Sequence, residues 1–248
     1  MLKKPYIKKY IKINDITVYI VDGPHIRKHI DKEFTNFGHH LRFEFIPLKE
    51  FWLDRQATPG EEHYFIKNML TQYKLMTTGT DYDKAVDLAG IAEQKMRDSD
   101  PTVIELKKLI PDNKKALLDK IKVRLLKAYS NDKMFTYVVD GSIVRSLFYI
   151  NFVQGGHSLA YPEFVPNNEI WVDDDITPYE RKYILLHEIH ERAQMAHGWN
   201  YIQSHTSANK LEYEARWSNR GTMAKIKHEL DRCTTAPTSM ALVENRAI

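Results

Sequence analysis

Four ionisable side chains crowd one short stretch of the chain, LHEIHERAQMAHG, where His187, Glu188, His190 and Glu191 fall within five positions. At roughly 100° per residue of an α-helix, His187 and Glu191 share one face a single turn apart, with His190 beside them. Leu185, Ile189 and Ala193 fall on the opposite, apolar face. Two side chains four apart on a helix can grip one metal ion, and a Glu directly after the first ligand stands where it can take a proton from a water polarised by that ion. His187 and Glu191 are therefore candidate ligands and Glu188 a candidate general base. The string His187-Glu188-x-x-Glu191 is a variant of the His-Glu-x-x-His arrangement.

A third ligand is needed, and the chain contains its own control. Val18 to His39 (VYIVDGPHIRKHIDKEFTNFGH) is answered by Thr136 to His157 (TYVVDGSIVRSLFYINFVQGGH), and Glu44 to Asp54 (EFIPLKEFWLD) by Glu163 to Asp173 (EFVPNNEIWVD). The second match continues without a gap, with the same spacing from Pro59 to Pro178 as from Arg97 to Arg216. In this register His187 is answered by Asn68, Glu188 by Met69, His190 by Thr71, Glu191 by Gln72 and His205 by Val86, so the whole polar set is absent from the first half at once. Glu212 and Arg216 persist as Glu93 and Arg97, which points to a structural ion pair in both halves. His205 is thus the expected third ligand, with Glu212, seven residues on and on the same helix face, as the alternative. His190 and His157 are further candidates for the site. His157 recurs as His39, which favours a structural histidine in a turn over a place on the site's rim.

The local structure around these groups is written twice in the chain. Thr58-Pro59-x-Glu61 and Thr177-Pro178-x-Glu180 carry helix-start signals: a Thr cap, Pro at the first helical position and Glu completing a capping box. Gly79 and Gly198 are placed to turn left-handed beyond a helix end, and Asp81 and Asn200 to cap a returning helix. ITVYIVDG and FTYVVDG read as strands ending in an Asp-Gly turn, while EFWLD and EIWVDD read as short extended segments. Trp52 and Trp171 in them are expected to anchor cores, and Asp173, Asp174 and Asp175 to form a loop. The expected fold class is α+β: a tandem duplication of a small domain, each copy a short antiparallel sheet followed by a helical hairpin. Residues 1–98 are the degenerate first copy, 99–133 a helical linker with Leu117, Leu118, Ile121, Leu125 and Leu126 on one side, and 134–248 the second copy with its C-terminal tail.

Composition limits the rest. The 248 residues are 43% hydrophobic and 28% charged with a net charge of +3, as expected of a folded globular chain. So slight a basic excess gives no argument for nucleic acid, and the lysines of residues 99–133 suit a solvated helix face. Cys233 is the one cysteine, so an intrachain disulfide and Cys-rich zinc modules are excluded and any metal must be held by His and carboxylates. No run reaches the roughly 20 apolar residues of a membrane span, and the first residues lack the apolar core of a signal peptide. The expectation is a cytoplasmic protein.

From Glu169 to Arg216 the chain resembles the zincin-like metallopeptidases, in which a strand precedes the active helix and a following helix brings the third ligand. The resemblance implies that His187 and Glu191 hold zinc or another divalent metal, with Glu191 where the family has its second His. It also implies that Glu188 is the base, that EIWVDD is the substrate-binding strand, and that a protein or peptide is the substrate. The succession GGH, EIWVD, LHE and AH, ending at Glu212, also resembles a group of small phage and bacterial proteins. The competing expectation is a non-enzymatic binding or structural protein, for instance phage-encoded, in which the cluster is a structural metal site or a polar network.

Overall fold

A computed structural model describes residues 4–112, 114–218 and 220–235. It is a mixed α/β structure with two four-stranded sheets. The first sheet is built from β1 (Tyr6–Ile13), β2 (Ile16–Val21), β3 (Phe37–His39) and β4 (Glu50–Asp54), in the order β1-β2-β4-β3, and a short helix α1 (Gly23–His29) lies between β2 and β3 in sequence. Next come the helical hairpin α2 (Glu62–Thr77) and α3 (Tyr82–Asp98) and three short helices, α4 (Pro101–Lys107), α5 (Leu109–Asp112) and α6 (Lys114–Ile121). The second sheet, β5 (Lys122–Leu125), β6 (Phe135–Val139), β7 (Gly155–His157) and β8 (Glu169–Asp173), has the corresponding order β5-β6-β8-β7, with α7 (Gly141–Leu147) after β6. It leads into α8 (Pro178–Ala196), α9 (Tyr201–Ser218) and α10 (Thr222–Thr235). No helix of the described residues is long and apolar enough to cross a membrane.

Two expectations about the sheets are corrected. Each sheet is mixed, not antiparallel: β2 runs parallel to β4 and β6 parallel to β8, while the flanking pairs are antiparallel. The reason lies in the Asp-Gly pairs, which do not close hairpins. Asp22 accepts from the backbone N–H of His25 at 3.3 Å, and Asp140 from that of Ile143 at 2.9 Å, so each caps a helix. A strand followed by a helical excursion can return parallel, which a tight turn forbids. The second correction is β5, which occupies part of the expected helical linker. Lys122 to Leu125 pair with β6, and the Lys122 ammonium bonds Glu169 on β8.

The helix starts also differ between the halves. α8 begins at Pro178, as the Thr-Pro signal predicts, but α2 begins only at Glu62. Gly60 has φ +83°, outside the helical region, so Thr58 to Glu61 form a turn closed by Glu61 N–H to Thr58 O at 2.9 Å. Neither Glu completes a capping box: Glu61 meets Arg97 at 2.6 Å and Glu180 meets Arg216 at 2.6 Å. The hairpin turns are as expected, with φ +92° at Gly79 and +93° at Gly198, and with Asp81 and Asn200 accepting from the N–H of Lys84 and Gln203.

The described residues group into two compact units: the chain up to Ile121 with 140–154 and 175–177, and 122–139, 155–174 and 178 onward. Residues 236–248, in the expected C-terminal tail, lie outside the described residues. In the first unit Val18, Ile20, Phe51 and Leu53 bury one sheet face with Phe65 and Met69 of α2, while Trp52 packs on the other face with Phe34 and Ile46. The period-2 alternation of a strand puts these neighbours on opposite faces. In the second unit β8 is buried along its whole length, and α8 packs against β7, β8, α9 and α10.

Candidate metal centre

α8 carries its charged stretch inward. His187, Glu188, His190, Glu191 and Arg192 are all buried, with Glu191 only 3% exposed. Ionised side chains are placed inside a protein only where partners compensate the lost water. The returning helix α9 supplies one such partner at the expected depth. His205 Nδ1 lies 2.7 Å from Glu191 Oε2 and 3.3 Å from His187 Nε2, and His187 Nε2 lies 3.5 Å from Glu191 Oε2. Ligand atoms about 2.0–2.2 Å from one tetrahedral ion stand roughly 3–4 Å apart, so these three atoms form a triangle of nearly the required size. His205 is the exposed member, with 40% of its side chain accessible, so the triangle opens on the α9 side.

The groups behind the triangle decide how each ring is oriented. Glu212 Oε2 lies 3.1 Å from His187 Nδ1, and Arg216 holds Glu212 at 2.8 Å and Glu180 at 2.6 Å. A carboxylate at Nδ1 holds the proton there, so Nε2 is the nitrogen that meets Glu191 and His205 and would offer a lone pair to an ion once its own proton leaves. Glu212 therefore stands behind a candidate ligand, His187, and is not brought into the triangle. His157 is oriented the other way. Its Nδ1 accepts from the backbone N–H of Leu159 and Ala160 at 3.2 and 3.3 Å, so Nε2 carries the proton and donates to Glu191 Oε1 at 2.9 Å. His157, Glu188 and Glu191 also bring ligand-type atoms together, but a neutral His157 so bonded has no lone pair to give an ion. It holds one Glu191 oxygen and leaves the other for the triangle.

Glu188 lies against β7. A Cβ on Gly155 would come within 3.1 Å of Glu188 Cγ and 2.9 Å of the Trp171 carbonyl, so the glycine makes room for the carboxylate. The electrostatics follow from crowding. Burial pushes Glu188 up to about 8, against the partial relief of His187 and with the reinforcement of Glu191 and Glu212. Burial pulls His187 down, but its bonds to Glu191 and Glu212 prevail and raise it to about 10. Burial likewise opposes ionisation of Glu212 and Glu191, yet His187 and Arg216 hold Glu212 at about 2, and His157, His187 and His205 hold Glu191 below the usual carboxylate range. Burial lowers His157. Arg216 faces two carboxylates, Glu180 and Glu212, so Glu188 and Glu191 are left to be compensated by protons, on His187 and Glu188, or by a divalent cation.

One role implied by the resemblance is corrected. EIWVDD cannot present a free edge to a substrate, because β8 is paired to β6 on one side and to β7 on the other. The edge strand beside α8 is β7, the GGH segment. His190 faces away from the triangle, toward Ser207 at 2.9 Å. His197 closes the helix end, with Nδ1 at 2.7 Å from the Ala193 carbonyl. Two features carry no clear mark in the sequence. The recurrence of His157 as His39 masks its hold on Glu191, and the expected tail contains α10, whose Glu229 and Arg232 reach α8. Comparison with known protein families, characterised proteins and solved structures finds no match to this chain.

Proposed function

We propose that the second half of the chain is a divalent-metal centre, with zinc the first choice, serving a peptidase-like hydrolase. We also propose that the chain is a tandem duplication whose first half is a scaffold without the site. The observation that carries the metal reading is the triangle of His187 Nε2, Glu191 Oε2 and His205 Nδ1, together with Glu212 behind His187 in the manner of a carboxylate that orients a metal-bound imidazole. His187, Glu191 and His205 would hold the ion, and a bound ion supplies the Lewis acidity that activates water or a carbonyl. Glu188, whose carboxylate borders the same cluster without belonging to the triangle, accepts the proton of the attacking water. The exposed side of His205 leaves an approach for a protein or peptide substrate.

Metal analysis of protein purified without added metal or chelator tests the centre: one equivalent of a divalent ion is expected, and none would defeat it. Glu188→Gln tests the role of the base, since it should retain the ion and lose hydrolysis. A second reading, a non-enzymatic protein with a structural metal or polar network, is favoured by the deep burial of Glu188, which is 9% exposed. It is the better account if the metal is present and Glu188→Gln changes no activity.

A further inference from the structure

On the far margin of the α8–α9 pair lies a second polar constellation that the triangle does not use. Ser207 follows His205 by two residues, about 200° further round the helix, so it faces a different flank of α8. Its Oγ lies 2.9 Å from His190 Nε2, and Glu229 Oε2 of α10 approaches His190 Nδ1 to 3.2 Å, an ion-pair distance without hydrogen-bond geometry. A hydroxyl, an imidazole and a carboxylate in this order and at these separations are the parts of an activated serine nucleophile.

The surrounding groups select the tautomer that such a device needs. Arg232 Nη2 donates to Gln194 Oε1 at 2.9 Å, which turns the Gln194 amide nitrogen toward His190 Nε2 at 3.3 Å. An amide N–H donates, so His190 Nε2 accepts and its proton sits on Nδ1, facing Glu229. The Ser207 hydroxyl then donates to the same lone pair. Arg232 Nη1 also holds Glu229 at 2.7 Å, and His190 and Glu229 are both buried. At the matched positions of the first half stand Thr71 for His190, Leu75 for Gln194 and Leu88 for Ser207. The set is confined to the second half as a unit.

We propose that Ser207, His190 and Glu229 form a nucleophilic site for acyl esters, independent of the metal centre. Ser207 Oγ adds to the ester carbonyl carbon while its proton passes to His190 Nε2. The C–O bond to the alcohol then breaks, and the alcohol leaves with that proton. Water hydrolyses the acyl-serine by the same route, returning the proton to Ser207 and releasing the acid. Glu229, 3.2 Å from Nδ1 without a hydrogen bond, is a positioning residue whose charge favours the proton on that nitrogen.

The test uses the full chain treated with chelator, p-nitrophenyl acetate as the ester and a fluorophosphonate as the trapping reagent, with peptide mass spectrometry. A single adduct on Ser207 is expected, absent in Ser207→Ala and formed at least about 100-fold more slowly in His190→Gln, the usual scale of general-base assistance. Circular dichroism of both variants should match the parent. Labelling of Ser207 no faster than that of other serines, or unchanged in His190→Gln, would overturn the proposal. So would ester hydrolysis that survives Ser207→Ala and disappears on metal removal, since that activity belongs to the metal centre.

Discussion

The two hairpins solve the same packing problem with different charges. In α2 and α3, Arg97 binds Glu61 and Glu93, stacks over Tyr64 at 4.3 Å, and Asn68 donates to Glu93 at 2.8 Å. In α8 and α9, Arg216 binds Glu180 and Glu212, lies over Tyr183 at 4.8 Å, and His187 takes the place of Asn68 at Glu212. Trp52 and Trp171 each donate to the Glu that opens their own strand, Glu50 and Glu169, at 2.8 Å. The frame is therefore common, and what differs is the space in front of it. In the first unit Arg145 adds a second guanidinium on Glu61, and Asn68, Met69 and Gln72 carry no charge, so the buried ions are balanced within the unit. In the second, Glu188 and Glu191 place two carboxyl groups where the first has the neutral Met69 and Gln72, and burial keeps the proton on Glu188 up to about pH 8. The same ion-pair frame is compatible with an inert core and with a cation site, and the frame alone is no evidence of function.

The largest effect should come from copying the first half into the second. His205→Val reproduces Val86 and removes a proposed ligand, so tight metal binding should vanish while far-ultraviolet circular dichroism is retained. Full metal stoichiometry in this variant would dissolve the contrast between the halves. Next in size is Glu188→Gln: activity on a peptide library should fall by about 100- to 10,000-fold with the metal content unchanged, as for loss of a general base. Loss of the metal along with activity would instead make Glu188 a ligand. Glu212→Gln should be milder, weakening metal affinity by about 10- to 100-fold in competition with a chromogenic chelator, because it releases the ring of His187 without removing a donor.

The smallest effect distinguishes the two strand histidines. His157 bonds Glu191, whereas His39, buried between Phe51 and Tyr73, faces the neutral Gln72. Burial pushes His39 down to about 4 from the ordinary 6.5. The unfolded chain therefore takes up a proton before the folded one does, so this contribution to stability is present above about pH 6.5 and is lost as pH falls toward 4. Between pH 7 and pH 5 it amounts to about 2 kcal/mol. His39→Leu should reduce by that much the loss of unfolding free energy between pH 7 and pH 5 in urea titrations, and an unchanged pH profile would show that His39 is not held neutral.

The helical hairpins were legible in the chain because their signals are local: Gly79 and Gly198 needed a left-handed turn, and Asp81 and Asn200 needed only an N–H three residues on. His187, Glu188 and Glu191 were legible because helical spacing places side chains without knowledge of the fold, and His205 because the internal repeat marked it as changing with them. Tertiary structure alone decided the rest. The parallel pairing of β2 with β4 and of β6 with β8 depends on where a strand returns after a capped helix, which no local pattern encodes. β5 is too short for its period-2 pattern to stand out from the helix before it. The division of labour among donors, with Glu212 behind His187, His157 on Glu191 and His190 turned toward α10, depends on which ring nitrogen meets which partner. Residue type supplies the chemistry of a ligand, but the direction of a lone pair is set by neighbours distant in the chain.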